Sequence, residues 1–120
     1  MKNCATNECG KSIVYTLSVV GGKWKWIILA ILFHDGVQRY GQIKKSASPI
    51  THKTLSQQLK ELEAEQLINR NEYRQIPPKV EYSLTEKGKT LIPILQLMSE
   101  WGIKYKPSEN NEQEVSQNHA

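Results

Sequence analysis

The 120-residue sequence predicts an α+β fold, mostly helical, in which two helices joined by a short turn lead directly into a two-stranded ribbon. Three observations predict it. Apolar residues recur at helical spacing from Ile13 to Phe33 and again from Leu55 to Leu62. Two short runs, Leu67 to Arg74 and Lys79 to Leu84, read as strands. The loop between them, Gln75-Ile76-Pro77-Pro78, carries two prolines that stiffen a tip without needing hydrogen bonds. This length supports one domain of ordinary size and one core.

Taken in order, residues 1–10 form a polar arm, and Ser12 opens a helix whose Ile13, Val14, Leu17 and Val20 share a face. Gly21-Gly22 ends it. A second helix, Lys23 to Phe33, places Trp24, Ile27, Ile28, Ile31 and Leu32 at helical spacing and is expected to be the buried spine. His34-Asp35-Gly36 marks its end, because glycine takes the positive φ that closes a helix. Val37 to Arg39 is expected as a short strand, and Tyr40 to Ala47 as a short helix with Ile43 inward. Ser48-Pro49 forces a turn, since proline disfavours helix in the residue before it.

The next helix is the most informative. Thr51 can cap it, and Ile50 with Leu55 makes a hydrophobic staple. Leu55, Leu59 and Leu62 form one apolar stripe, so the helix has a single inner face. Its other face holds His52, Lys53, Ser56, Gln57 and Lys60, with no acid before Glu61. A helix that is basic and amide-rich at its N-terminal half points that end at phosphates. In the second strand Val80, Tyr82 and Leu84 alternate with Lys79, Glu81 and Ser83, and Arg74 and Lys79 flank the proline tip as a basic wing would. Thr85 can cap a last helix along Leu91, Ile92, Leu95 and Trp101, with a bend expected near Pro93. The whole order is a winged helix-turn-helix with an extra helix at each end.

The formal charge is +4, but it is unevenly spread. The last fourteen residues contain Glu109, Glu112 and Glu114 and no Lys or Arg, so residues 1–106 carry sixteen basic and nine acidic groups, or +7. A compact domain this basic attracts polyanions, nucleic acid being the commonest. Cys4 and Cys9 are too few for a disulfide scaffold and lack zinc-site spacing, which fits a reducing compartment, the cytoplasm. His34, His52 and His119 stand apart from any metal-ligand spacing, so no metal and no cofactor is expected. Nor is there a glycine-rich phosphate loop, a nucleophile elbow or a catalytic carboxylate pair, so the chain is not expected to be an enzyme. Gly21, Gly22, Lys23 and Lys25 interrupt the apolar stretch Ile13 to Phe33, and neither half reaches the roughly 18 residues a membrane span needs. The expected organisation is a flexible arm at 1–10, a DNA-binding domain at 11–106 and a disordered polar tail at 107–120.

The chain resembles the HxlR-type regulators of bacteria, relatives of the MarR-type winged helix proteins, from about Tyr15 to Trp101. The resemblance rests on Gly21-Gly22-Lys23-Trp24-Lys25, on Leu55-Ser56-Gln57-Gln58-Leu59 with Leu62-Glu63, and on Pro77-Pro78-Lys79-Val80-Glu81-Tyr82-Ser83-Leu84-Thr85. It implies a homodimer on an inverted repeat, paired through the first and last helices, with the Thr51 to Glu65 helix in the major groove and the wing along the backbone or minor groove. Many such proteins respond to thiol-reactive or oxidative compounds through an N-terminal cysteine, which makes Cys4 and Cys9 the redox candidates. The family's usual position falls on Lys11, two residues after Cys9.

These readings converge on a sequence-specific regulator of transcription whose partners are double-stranded DNA, a second copy of itself and a small-molecule or oxidant inducer. The DNA-contact set is Arg39, Lys44, Lys45, Thr51, His52, Lys53, Ser56, Gln57, Gln58, Lys60, Arg74, Pro77, Pro78 and Lys79. Gln57 and Gln58 can pair with adenine, Lys53 or His52 can meet guanine acceptors, and Ser56 and Lys60 suit phosphate. The dimer set is Ile13, Leu17, Ile92, Leu95, Leu97, Met98 and Trp101, since the last helix holds more apolar surface than a small monomer needs. Trp24, Trp26 and Trp101 fit a ligand pocket or, as tryptophans at helical spacing more often do, core and interface. The competing class is a winged helix that docks an acidic protein. Single-stranded nucleic acid would call for stacking aromatics, which the contact helix lacks.

Overall fold

Asn7 caps the first helix through its side chain, which accepts from the Gly10 N–H at 3.1 Å, so α1 (Glu8–Val20) opens earlier than Ser12. Its early start takes Cys9 out of the arm and into the first helical turn. The computed structural model describes residues 7–108. Cys4 and positions 109–120 of the polar tail lie outside the described residues. The second helix, α2 (Lys25–Asp35), starts and ends two residues later than its apolar spacing suggests, and Gly36 follows with φ +73°, where a side chain would be strained.

Ile28 and Leu29 of α2 are fully buried, and Trp24, Ile27 and Ile31 pack half-buried against the same core. Ile43 of α3 (Tyr40–Ser46) and Leu55, Leu59 and Leu62 of α4 (His52–Ala64) close over them. Fully burying such a side chain contributes about 1.5–3 kcal/mol. The single stripe on α4 therefore sets its rotation and leaves the opposite face to solvent.

Thr51 caps α4, its hydroxyl accepting from the Thr54 N–H at 3.1 Å. At the other end Gln66 takes φ 59°, and the N–H groups of Gln66 and Leu67 return to the Glu63 and Leu62 carbonyls. That is a Schellman closure with glutamine where glycine is usual, and buried Leu62 and Leu67 accompany it. The turn sends the chain into β1 (Ile68–Tyr73), antiparallel to β2 (Lys79–Leu84), with Ile68 opposite Leu84 and Tyr73 opposite Lys79. The strand expected at Val37 to Arg39 shrinks to one bridge, in which Gln38 and Tyr82 exchange both backbone hydrogen bonds at 2.9 and 2.8 Å.

The last helix divides in two. A short α5 (Glu86–Lys89), capped by Thr85, ends at Thr90, and α6 (Ile92–Tyr105) begins with Pro93 in its first turn, where a missing N–H leaves no intrahelical bond unmade. So Pro93 starts a helix rather than bending one. Gly88 of α5 sits against Leu67, the residue before β1, and a Cβ there would lie 2.1 Å from the Leu67 carbonyl oxygen. The architecture is the expected one, mostly helical with a two-stranded wing.

Candidate nucleic-acid interface

The face of α4 away from the core exposes His52, Lys53, Gln57 and Lys60, with Ser56 and Gln58 half-buried beside them. Thr51, also exposed, ends this face at the helix N-terminus, where unpaired N–H groups and the helix dipole favour anions. Glu61 is the first acid on the helix.

Tyr40, the first residue of α3, holds that N-terminal turn. Its hydroxyl donates to the His52 carbonyl at 3.2 Å and lies 3.1 Å from His52 Nδ1 and 3.2 Å from Ser56 Oγ. The His52 imidazole lies flat against the Tyr40 ring. The two helices of the helix-turn-helix are thus joined by polar contacts on the side that faces outward, in addition to the core. Part of the Ser56 hydroxyl's hydrogen-bonding capacity goes to Tyr40, which leaves it less for phosphate than the sequence suggests. The sequence does not single out Tyr40 as a site residue; its one signal is its position at the head of α3.

Further along, Lys25 at the start of α2 pairs with Glu61 at 3.0 Å, and Gln57 donates from Nε2 to the other Glu61 oxygen at 3.1 Å. Both partners hold the Glu61 carboxyl below its ordinary value, the Lys25 hydrogen bond most. The Tyr15 hydroxyl on α1 donates to Glu65 at 2.8 Å, and that carboxylate holds the phenol above its ordinary value. The C-terminal half of α4 is therefore tied to α1 and α2 by its acids, while the N-terminal half keeps its donors outward.

Arg74, Pro77 and Pro78 are exposed at the wing. Lys79 is only half-exposed, lying over the Tyr73 ring at 5.3 Å and 3.5 Å from Glu81. Its charge is therefore partly answered within the hairpin. Ile76 at the tip is wholly exposed. Arg39 precedes α3 and is exposed, whereas Lys44 and Lys45 occupy the last turn of α3, where cations complement the carbonyl end of a helix.

The apolar set behaves unevenly. Ile13 and Leu17 on α1 and Leu97, Met98 and Trp101 on α6 are exposed, Trp101 to 68 %. Ile92 is 6 % exposed and belongs to the subunit's own interior, whereas Leu95 is half-buried, packed on the core on one side and open to a groove on the other. Ile94, unexpected from the sequence, is exposed beside them. Between α2 and α6 runs an apolar groove of about 600 Å³, with Trp26 and Phe33 on one wall and Leu95 and Met98 on the other. Trp24 packs on the core and Trp101 lies against Tyr105, so the three tryptophans do not share one pocket. Cys9 is exposed on α1. Among the described residues no group of three His, Cys, Asp or Glu side chains could hold a metal, and no single helix is long and apolar enough to cross a membrane.

The profile of the HxlR-like helix-turn-helix family matches residues 19–110, most of the chain, including α2 to α6 and the wing. This chain belongs to the HxlR-like helix-turn-helix family. It is a DNA-binding transcriptional regulator and not an enzyme. An uncharacterised HTH-type transcriptional regulator of Halalkalibacterium halodurans, BH0655, is 57 % identical over 90 residues, which span 75 % of this HxlR-like chain and 80 % of that one. Among solved structures, the redox regulator HypR in its oxidised form is 44 % identical with a TM-score of 0.72, covering 81 % of this chain and 99 % of HypR. The transcriptional regulator YodB of Bacillus subtilis in its reduced form is 32 % identical with a TM-score of 0.75, covering 82 % and 96 %.

Proposed function

We propose that this regulator acts in the cytoplasm as a homodimer on an inverted-repeat operator, each subunit setting α4 into the major groove and its wing along the adjacent backbone or minor groove. The observation that carries the reading is the acid-free N-terminal half of α4's outer face, with its first turn clamped by Tyr40. Lys53, His52, Gln57 and Gln58 would meet base edges. Thr51, Ser56, Lys60, Arg39, Lys44, Lys45, Arg74 and Lys79 would meet phosphate and sugar, with Pro77 and Pro78 shaping the wing. In such a dimer half-sites lie about 34–36 Å apart or a multiple of it.

The exposed Ile13 and Leu17 on α1, with Leu97, Met98 and Trp101 on α6, support pairing through those helices, since so much apolar surface destabilises a soluble monomer's hydration. Domain limits follow the same logic, with a winged helix that begins with α1 at Glu8, ahead of the expected position 11, and runs to about 106 before a polar tail. HypR is named a redox regulator, and the accessible Cys9, with Cys4 near it in sequence, supports a thiol-based response here.

Selection of bound duplexes from random DNA by the reduced protein, repeated after mild oxidation, tests these points together. Recovery of an inverted repeat is expected, with binding altered by oxidation and restored by thiol. A lack of any enriched sequence would turn the reading towards a module that docks an acidic protein. Leu97→Glu should convert a dimer to a monomer in sedimentation; an unchanged mass would remove α6 from the interface.

A further inference from the structure

Resting on the proposal that α4 enters the major groove, we infer that Glu61, anchored by Lys25, fixes the amide of Gln57 for one base and makes adenine its partner. The argument begins with Glu61. Its two carboxylate oxygens are divided between two donors, Lys25 Nζ on Oε1 at 3.0 Å and Gln57 Nε2 on Oε2 at 3.1 Å. A carboxylate only accepts, so the Gln57 amide must turn its NH₂ towards Glu61, because the opposite flip would set two oxygens against each other.

The flip of an exposed glutamine is otherwise free, and an unrestrained amide offers either its donor or its acceptor to a groove. Here one N–H is committed, and the exposed Gln57 retains one acceptor, Oε1, and one N–H. Adenine presents one donor, N6–H, and one acceptor, N7, to the major groove, whereas guanine presents two acceptors, N7 and O6. The fixed amide matches the first pattern and mismatches the second. Lys25 stands on α2, outside the helix-turn-helix, and acts through Glu61 by keeping that carboxylate charged and in place. Glu61 and Lys25 are positioning residues, and Gln57 is the reader.

The test compares selections from random duplexes by wild type, Gln57→Ala and Glu61→Gln. The glutamine at 61 keeps the shape and can either accept from Gln57 or donate to it, so it permits both flips. Gln57→Ala is expected to flatten one position in each half-site, where wild type favours adenine over guanine by on the order of tenfold. Glu61→Gln is expected to admit guanine at that same position and leave the others unchanged, which general damage to the fold would not do. Failure of wild type to enrich any sequence overturns the operator reading and this inference with it. An operator in which Gln57→Ala changes no position removes Gln57 as reader while the operator stands. A flattened position in Gln57→Ala that stays intact in Glu61→Gln overturns the positioning role alone.

Discussion

Tyr40 and His52, twelve residues apart, stack with ring centroids 5.7 Å apart and planes within 3° of parallel. One ring belongs to the first helix of the helix-turn-helix and the other to the first turn of the second, so the stack sets where the N-terminus of α4 points.

Tyr40→Phe keeps the ring and removes the hydroxyl that meets the His52 carbonyl and Ser56. Net hydrogen-bond contributions near 0.5–1.5 kcal/mol predict a stability loss of about 1 kcal/mol in urea denaturation, and a weaker complex with DNA as the first turn of α4 loosens. Tyr40→Ala also removes the stack and should cost more in both measurements. Equal stability in all three proteins would show the clamp to be idle.

Glu61 gives a pH dependence of definite sign. Its folded-state pKa lies below the unfolded value, chiefly because of Lys25, so its contribution is fully present above the ordinary glutamate range and is lost as pH falls through the folded value. The stability difference between wild type and Glu61→Gln should therefore shrink towards zero on acidification below that range. Tyr15 behaves oppositely. With its pKa raised by Glu65, its contribution is present below the ordinary tyrosine value and is lost as pH rises through the folded one. A wild-type to Tyr15→Phe difference that persists into strong alkali would contradict the Tyr15–Glu65 contact.

Lys60 is exposed and in no ion pair among the described residues, whereas Lys79 already faces Glu81 and Tyr73. Lys60→Ala should lower affinity similarly on all duplexes and reduce the slope of log affinity against log salt by about one. Lys79→Ala should reduce it by less. Equal slopes for wild type and Lys60→Ala would take Lys60 off the phosphate.

Gly88→Ala would drive a methyl group to 2.1 Å from the Leu67 carbonyl oxygen, a backbone atom that cannot swing aside, with the Leu84 side chain at 3.2 Å as its next neighbour. Overpacking of this kind costs about 1–3 kcal/mol, and the loss should appear as a lower urea midpoint with an unchanged slope. An unaffected midpoint would mean that α5 lifts from Leu67 without penalty.

Much of this was legible in the sequence because it is local. The Leu55, Leu59 and Leu62 stripe, the Thr51 cap and the second strand follow from spacing within a dozen residues, and all three stand in the structure. The outer face of α4 follows by subtraction. What stayed hidden depends on pairs distant in the chain. Lys25 and Glu61 are 36 residues apart and Tyr15 and Glu65 are 50 apart, and no periodicity signals such contacts. The start of α1 was misplaced because its first turn is polar and short of apolar spacing, although Asn7 is an ordinary cap. Ile92 reads as an outer-face residue in the sequence because apolar residues on a terminal helix look alike whether they turn inward or outward.

The paired backbone of Gln38 and Tyr82 joins the segment leading into α3 to the middle of the wing's second strand. The middle of the hairpin is thereby tied by backbone to the segment that leads into α3. Any duplex that touches both must offer its groove and its neighbouring backbone at one set separation, as an object does between the jaws of a caliper. In the proposed complex the protein would thus measure the local width and twist of DNA, and sequences that hold that width without distortion would be favoured even where no side chain reaches them.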